Sequence, residues 1–273
     1  MRAVDLGLGV LAVATAGLAY LALQHVEVLP GPGGSEGEAV GATATGAAPD
    51  DAAVTSPAPG DETELTATSA PVDLGTLRTA LAVEDVQVLV LGDSTSNSRA
   101  EWVELWAEGL GEDRAVTVAH WDEADDEGYN DDVTLTEGEE PATVWSGSVT
   151  GSSAADAADR LEALVPQAPD LVLLSFGRDD QADEVASGLE ELVDELRAIA
   201  PDAPVGVVVQ PGGDEETTEA VREWAGSADV AVLDVDAAWA EQTPDVGVND
   251  AEGNPTAEAA DLWAQRVSEA LAP

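Results

Sequence analysis

From about Val72 onward the sequence alternates short, almost wholly apolar runs with longer amphipathic stretches, and this alternation limits the folds open to it. The runs Val86–Leu91, Ala115–Ala119, Leu171–Ser175, Val205–Gln210 and Val230–Val235 are rich in valine and leucine and have the length of strands. Apolar side chains at successive positions, not only alternate ones, imply a sheet buried on both faces. Helical patterning occupies Glu101–Leu110, Ala154–Leu164, Gln181–Ile199, Thr217–Ala225 and Thr256–Leu271. Trp102 and Trp106, four residues apart, fit the buried stripe of such a helix. The pattern predicts an α/β domain over 72–273: a three-layer αβα, flavodoxin-like parallel sheet of about five strands. Sheets of this kind carry their ligand sites at the carboxyl ends of the strands.

The segment ahead of that domain is different in kind. An uncharged run from Leu6 to Leu23 follows Arg2 and precedes Glu27 and a long acidic stretch. At ~1.5 Å per residue such a run suffices for a short, tilted span of a core about 30 Å thick. The charge asymmetry keeps the N-terminus cytoplasmic and exports the rest, so 1–29 reads as a membrane anchor. Cleavage as a signal peptide is the alternative, because Ala14-Thr15-Ala16 offers small residues at a cleavage position. From 30 to 71 the chain is Pro, Gly, Ala, Ser and Thr with scattered acids and no aromatic residue. It is too poor in apolar surface to offset chain entropy and reads as a disordered, solvated tether.

Charge narrows the function. Asp and Glu total 56 against 9 basic residues, all arginine, for a formal net charge of -47. A surface this acidic repels phosphate backbones, which excludes nucleic acid as a partner. Dense carboxylates without lysine also fit a halophilic setting, although a GC-rich genome encodes few lysines for its own reasons. With no cysteine in the chain, disulfides, thiolate catalysis and cysteine-ligated zinc are ruled out.

The chemistry-bearing residues lie at strand ends. The first run closes in Leu91-Gly92-Asp93-Ser94, with a hydroxyl just beyond a buried strand. The third is followed by Phe176-Gly177-Arg178-Asp179-Asp180. Between them stands Ser146-Gly147-Ser148-Val149-Thr150-Gly151, and near the end Asn249-Asp250-Ala251-Glu252-Gly253-Asn254-Pro255 precedes the last helix. Taken in this order, the four blocks resemble the motifs of the SGNH (GDSL-like) hydrolases.

The resemblance implies a serine ester or acyl hydrolase acting on a small-molecule or envelope-linked ester or glycan, without a cofactor. Ser94 matches the family nucleophile, Gly151 an oxyanion donor, and Gly92, Asp93, Gly177 and Asp180 the surrounding motif. Two positions depart. The family's oxyanion asparagine is Asp179 here, and an ionised carboxylate accepts hydrogen bonds and does not donate them. The family's histidine position is Asn254, with Asp250 displaced by one from the aspartate position, now Ala251. Only His25 and His120 exist in the chain. His25 lies beside the uncharged run Leu6–Leu23, whereas His120 follows the second run and is the one substitute base, on a strand expected beside the first.

The acidic loop 122–140 only loosely resembles a calcium loop, since Thr134 stands where the bidentate glutamate belongs, and no metal site is assigned. Asp93, Asp179, Asp180 and Asp250 would need neutralising by Arg178, protons or a cation if they converged. A non-catalytic relative that keeps the pocket to bind a glycan, acyl group or cation is therefore the second expectation.

Overall fold

A computed structural model describes residues 72–111, 114–242, 247–249 and 254–272. The expected anchor (1–29), the tether (30–71), His25 and Asp250 lie outside the described residues. Among those described, no helix is long and apolar enough to cross a membrane.

The elements run α1 (Leu74–Leu81), β1 (Val86–Gly92), α2 (Trp102–Glu108), β2 (Arg114–His120), β3 (Val133–Thr134), β4 (Glu140–Ser146), α3 (Ala154–Asp159) and α4 (Leu161–Leu164). They continue through β5 (Leu171–Ser175), α5 (Val185–Ile199), β6 (Val205–Val209), α6 (Glu215–Ala225), β7 (Ala231–Asp234), α7 (Val235–Gln242) and α8 (Ala257–Leu271). The sheet order is β3-β2-β4-β1-β5-β6-β7. All pairings are parallel except that of β2 with the short edge strand β3.

The sheet therefore has seven strands, not about five. The two additions have physical reasons to look like loop. β4 opens with Glu140-Pro141 and buries only alternate residues over most of its length, and proline near the start of a run argues against a central strand. β3 has two residues. The consequence for the site is larger than the count suggests: β4 pairs with both β1 and β2 and so separates them. The helix expected over Ala154–Leu164 is interrupted at Arg160 into α3 and α4.

Both faces of the sheet are covered. Along β1, Val88 and Val90 face a layer containing Leu77 of α1, Trp102 and Trp106 of α2, and Trp263 and Val267 of α8. Leu89 and Leu91 face the other layer, built from Ala154 of α3, Leu161 and Leu164 of α4, Leu189 and Leu192 of α5, and Val221 of α6. Trp102 stacks on Trp263 with ring centroids 5.5 Å apart and so ties α2 to α8. This double covering leaves the carboxyl rim of β1, β5 and β6 as the place where polar groups gather.

Candidate active site

Ser94 sits two residues beyond β1, in the turn that the glycine before Asp93 makes possible. A Cβ at Gly92 would lie 2.8 Å from the Ser175 carbonyl oxygen and 3.1 Å from the hydroxyls of Ser148 and Ser96. No other residue fits there without moving the neighbouring strand. Gly177 has φ +135, in the region that disfavours side chains, and it turns the chain after β5 so that the following residues face back towards β1.

That turn brings Asp179 onto Ser94. The Ser94 hydroxyl donates to Asp179 Oδ2 at 2.8 Å, and the Ser94 backbone N–H donates to the same oxygen at 3.2 Å. Asp179, expected from the motif resemblance at an oxyanion-donor position, is thus the hydrogen-bond acceptor of the serine itself. Both residues are half-buried.

Beneath the pair lies a buried polar network. Asp93 is fully buried and accepts from Thr95 N–H at 3.0 Å, Thr95 Oγ1 at 2.8 Å, Arg178 N–H at 3.0 Å and Gln210 Nε2 at 2.9 Å. Burial pushes its carboxyl up to about 6, and these donors hold it from rising further. Gln210, just past β6, also donates to the Ser175 carbonyl at 2.8 Å, while its Oε1 is buried without a partner. Asp180 caps the start of α3 by accepting from Ala154 N–H at 3.0 Å, and burial raises its carboxyl above the usual range.

His120 is not gathered at Ser94. His120 Nε2 meets Glu104 Oε2 at 3.2 Å, and its Nδ1 is buried without a partner. It lies at the end of β2, with β4 between it and β1, so the expected adjacency of the two strands is corrected. Burial lowers the His120 pKa, Glu104 opposes that, and Arg99 adds to it. Gly151 occupies an exposed turn at φ +75 with open space around it. Asn254 is exposed. Arg178 contributes its backbone N–H to Asp93, and its guanidinium lies 3.5 Å from the Gly212 carbonyl. Asn249 Nδ2 donates to that same carbonyl at 3.0 Å, which places the start of the terminal block near the rim. Among the described residues, no cluster of three or more His, Asp or Glu side chains is arranged to hold a metal ion.

Two features escaped the sequence. Gln210 carried one signal, a polar residue closing an apolar run. Glu123 emerged from an acidic loop with no distinguishing mark: it accepts from Thr150 N–H and from Asn97 Nδ2, joining the loop after Ser94 to the loop before Gly151.

No family model matches the chain, and no curated protein matches it by sequence. Solved structures do match. A lipase/acylhydrolase from Enterococcus faecalis superposes with a TM-score of 0.50 at 16% identity, over 67% of this chain and 94% of the other. An acetylxylan esterase from Geobacillus stearothermophilus, solved as a catalytic mutant, gives 0.50 at 16% identity over 70% and 95%. On this evidence the domain that carries Ser94 and Asp179 has the fold of the GDSL-type (SGNH) lipases and esterases.

Proposed function

We propose that the domain is a slow serine ester or acyl hydrolase, in which Ser94 is the nucleophile and Asp179 takes the part of the missing histidine. The observation that carries this reading is the 2.8 Å hydrogen bond from the Ser94 hydroxyl to Asp179 Oδ2. A base within hydrogen-bond reach of a nucleophilic hydroxyl is the geometric requirement for activating it.

The chemistry runs through one carboxyl. Ser94 Oγ attacks the ester carbonyl as its proton passes to Asp179. The neutral carboxyl that results is a donor and no longer repels the oxyanion beside it. The same proton transfer frees the Ser94 N–H, which then supplies a second oxyanion contact. Asp179 returns the proton to the departing alkoxide, leaving an acyl-Ser94 ester and free alcohol. Water attacks the acyl group with its proton passing to Asp179, and Ser94 is regenerated with release of the acid. A carboxylate is a weaker general base than an imidazole, which is why slow turnover is expected.

A specific observation favours a second reading, a non-catalytic relative that binds a glycan or acyl group. The Ser94 N–H, the donor an oxyanion would need, is already engaged by Asp179. One experiment separates the two. The full chain in high salt is treated with a fluorophosphonate probe and a short-chain aryl ester. Labelling and turnover that disappear in Ser94→Ala support the hydrolase, whereas no labelling with intact folding supports the binding protein.

We further propose that 1–29 anchors the chain in a membrane, with the 30–71 segment as spacer and the domain outside the cytoplasm. The uncharged run Leu6–Leu23, with Arg2 before it and acids after it, supports this. Retention in the membrane pellet after alkaline extraction, with the domain open to external protease, is the expected result.

A further inference from the structure

A cavity of about 570 Å³ opens on the same rim, between the loop that follows Ser94 and the end of β2. Its size falls within the range of about 300–1,000 Å³ usual for small-ligand sites. Asn97, Ser98 and Arg99 form one wall; His120, Asn130 and Asp131 contribute to the others.

Arg99 stands out by how it is left. Arg114, Arg160, Arg197, Arg222 and Arg266 each meet a carboxylate, and Arg78 donates to the Ala270 carbonyl. Among the described residues Arg99 has no hydrogen-bond or ion-pair partner, in a chain with 56 acidic residues. Its loop, by contrast, is fixed on both sides. Ser98 N–H donates to Glu101 Oε2 at 2.8 Å, Asn97 Nδ2 donates to Glu123 Oε1 at 3.0 Å, and Ala100 holds a left-handed φ of +64. A non-glycine residue in that conformation costs energy and persists where surrounding contacts impose it. The result is a pre-positioned loop presenting an unpaired guanidinium to a cavity, a fork suited to a planar anion.

The other charged groups of the wall refine the ligand. Glu123 is occupied with Thr150 and Asn97, and His120 Nε2 with Glu104. Asp131 is exposed and opposes any anion, a dianionic phosphate more than a singly charged carboxylate. The amide N–H groups of Asn97 and Asn130 are spent on neighbouring acceptors and the Ser98 hydroxyl donates to Asn97 Oδ1, which leaves Asn130 Oδ1 and the Ser98 oxygen as acceptors for ligand hydroxyl groups.

We propose that this cavity binds a carboxylate-bearing, hydroxylated ligand, an acidic sugar unit, with its carboxylate on Arg99. The link to ester hydrolysis rests on the function proposed above, but binding itself does not require Ser94.

The test titrates the full chain, at one fixed salt concentration, with D-glucuronate, D-glucose and glucose 6-phosphate, followed by calorimetry or NMR shifts. Glucuronate is expected to bind about tenfold tighter than either of the others, the value of one charge-assisted contact. Arg99→Gln is expected to erase that preference with no change in melting temperature, since the side chain is exposed and unpaired. Asp131→Asn is expected to tighten glucuronate binding, and Ser94→Ala to leave it unchanged. Equal affinity for glucose, preference for the phosphate, an unaltered Arg99→Gln, or no binding at all would each overturn the proposal. Because turnover is not read, a serine that fails to label leaves this result intact and counts against the hydrolase alone.

Discussion

At the residue scale the buried Asp93 is the most consequential group after the Ser94–Asp179 pair. Its carboxyl is raised from 3.8 to about 6, with burial as the main cause. The folded state therefore binds a proton more readily than the unfolded one between those values. Stability falls as pH rises from about 4 to about 6 and then levels, by roughly 3 kcal/mol from this group. Glu101, raised by burial to about 7, acts with the same sign over a higher window. Asp93→Asn removes the first contribution and, because the Asp93 charge helps to raise Glu101, a part of the second. The stability of the native protein relative to Asp93→Asn, taken from denaturant melts, should be greatest near pH 4 and shrink by pH 6.5; a difference independent of pH would refute it. Motif order alone singles out Ser94 and Asp179 as candidates. Their mutual contact was not legible, because a motif carrying asparagine implies a donor, and the substitution to aspartate reverses the direction of the hydrogen bond. Gln210 was hidden for another reason: a single polar residue at a strand end acquires meaning only when the register of β6 against β5 is known.

Packing at the element scale gives two sharp tests. On α5, Gly188 approaches α3 so closely that an added Cβ would lie 2.8 Å from the Ala155 backbone nitrogen. Alanine is the better helix former by about 1 kcal/mol, yet overpacking against backbone costs typically about 1–3 kcal/mol. Gly188→Ala should therefore lower the melting temperature; a rise would mean that α3 yields freely. On the opposite face, Trp263→Ala removes a fully buried ring stacked on Trp102 and should cost about 3–5 kcal/mol in denaturant unfolding. The strands with continuous apolar runs and all the long helices were readable from sequence. β4 was not, since its Glu140-Pro141 start and half-exposed alternation belong to a strand whose burial comes from its neighbours. That single omission misplaced His120, because it hid the strand lying between β2 and β1.

For the whole molecule, charge dominates. A net charge of -47 makes the compact state self-repelling, and screening lengths shorten from about 10 Å at 0.1 M to about 3 Å at 1 M salt. The melting temperature should rise steeply with sodium chloride up to about 1 M and more slowly beyond, whereas an uncharged osmolyte at equal osmolality should not reproduce the steep phase. The same repulsion works against an anionic ligand at long range, so Arg99 can act only once the ligand has entered the cavity.

In the proposed mechanism Asp179 is the proton acceptor of Ser94. The direct measurement compares the native protein with Asp179→Asn in single-turnover acylation by an activated aryl ester, at matched folding and salt. General-base assistance is worth about 100- to 10,000-fold, and the asparagine removes it while restoring an oxyanion donor. A proton-accepting Asp179 requires a fall in acylation rate of at least about 100-fold in Asp179→Asn. An acylation rate that is unchanged or higher in Asp179→Asn would contradict it, and would make Asp179 an obstruction in the oxyanion site instead of a base.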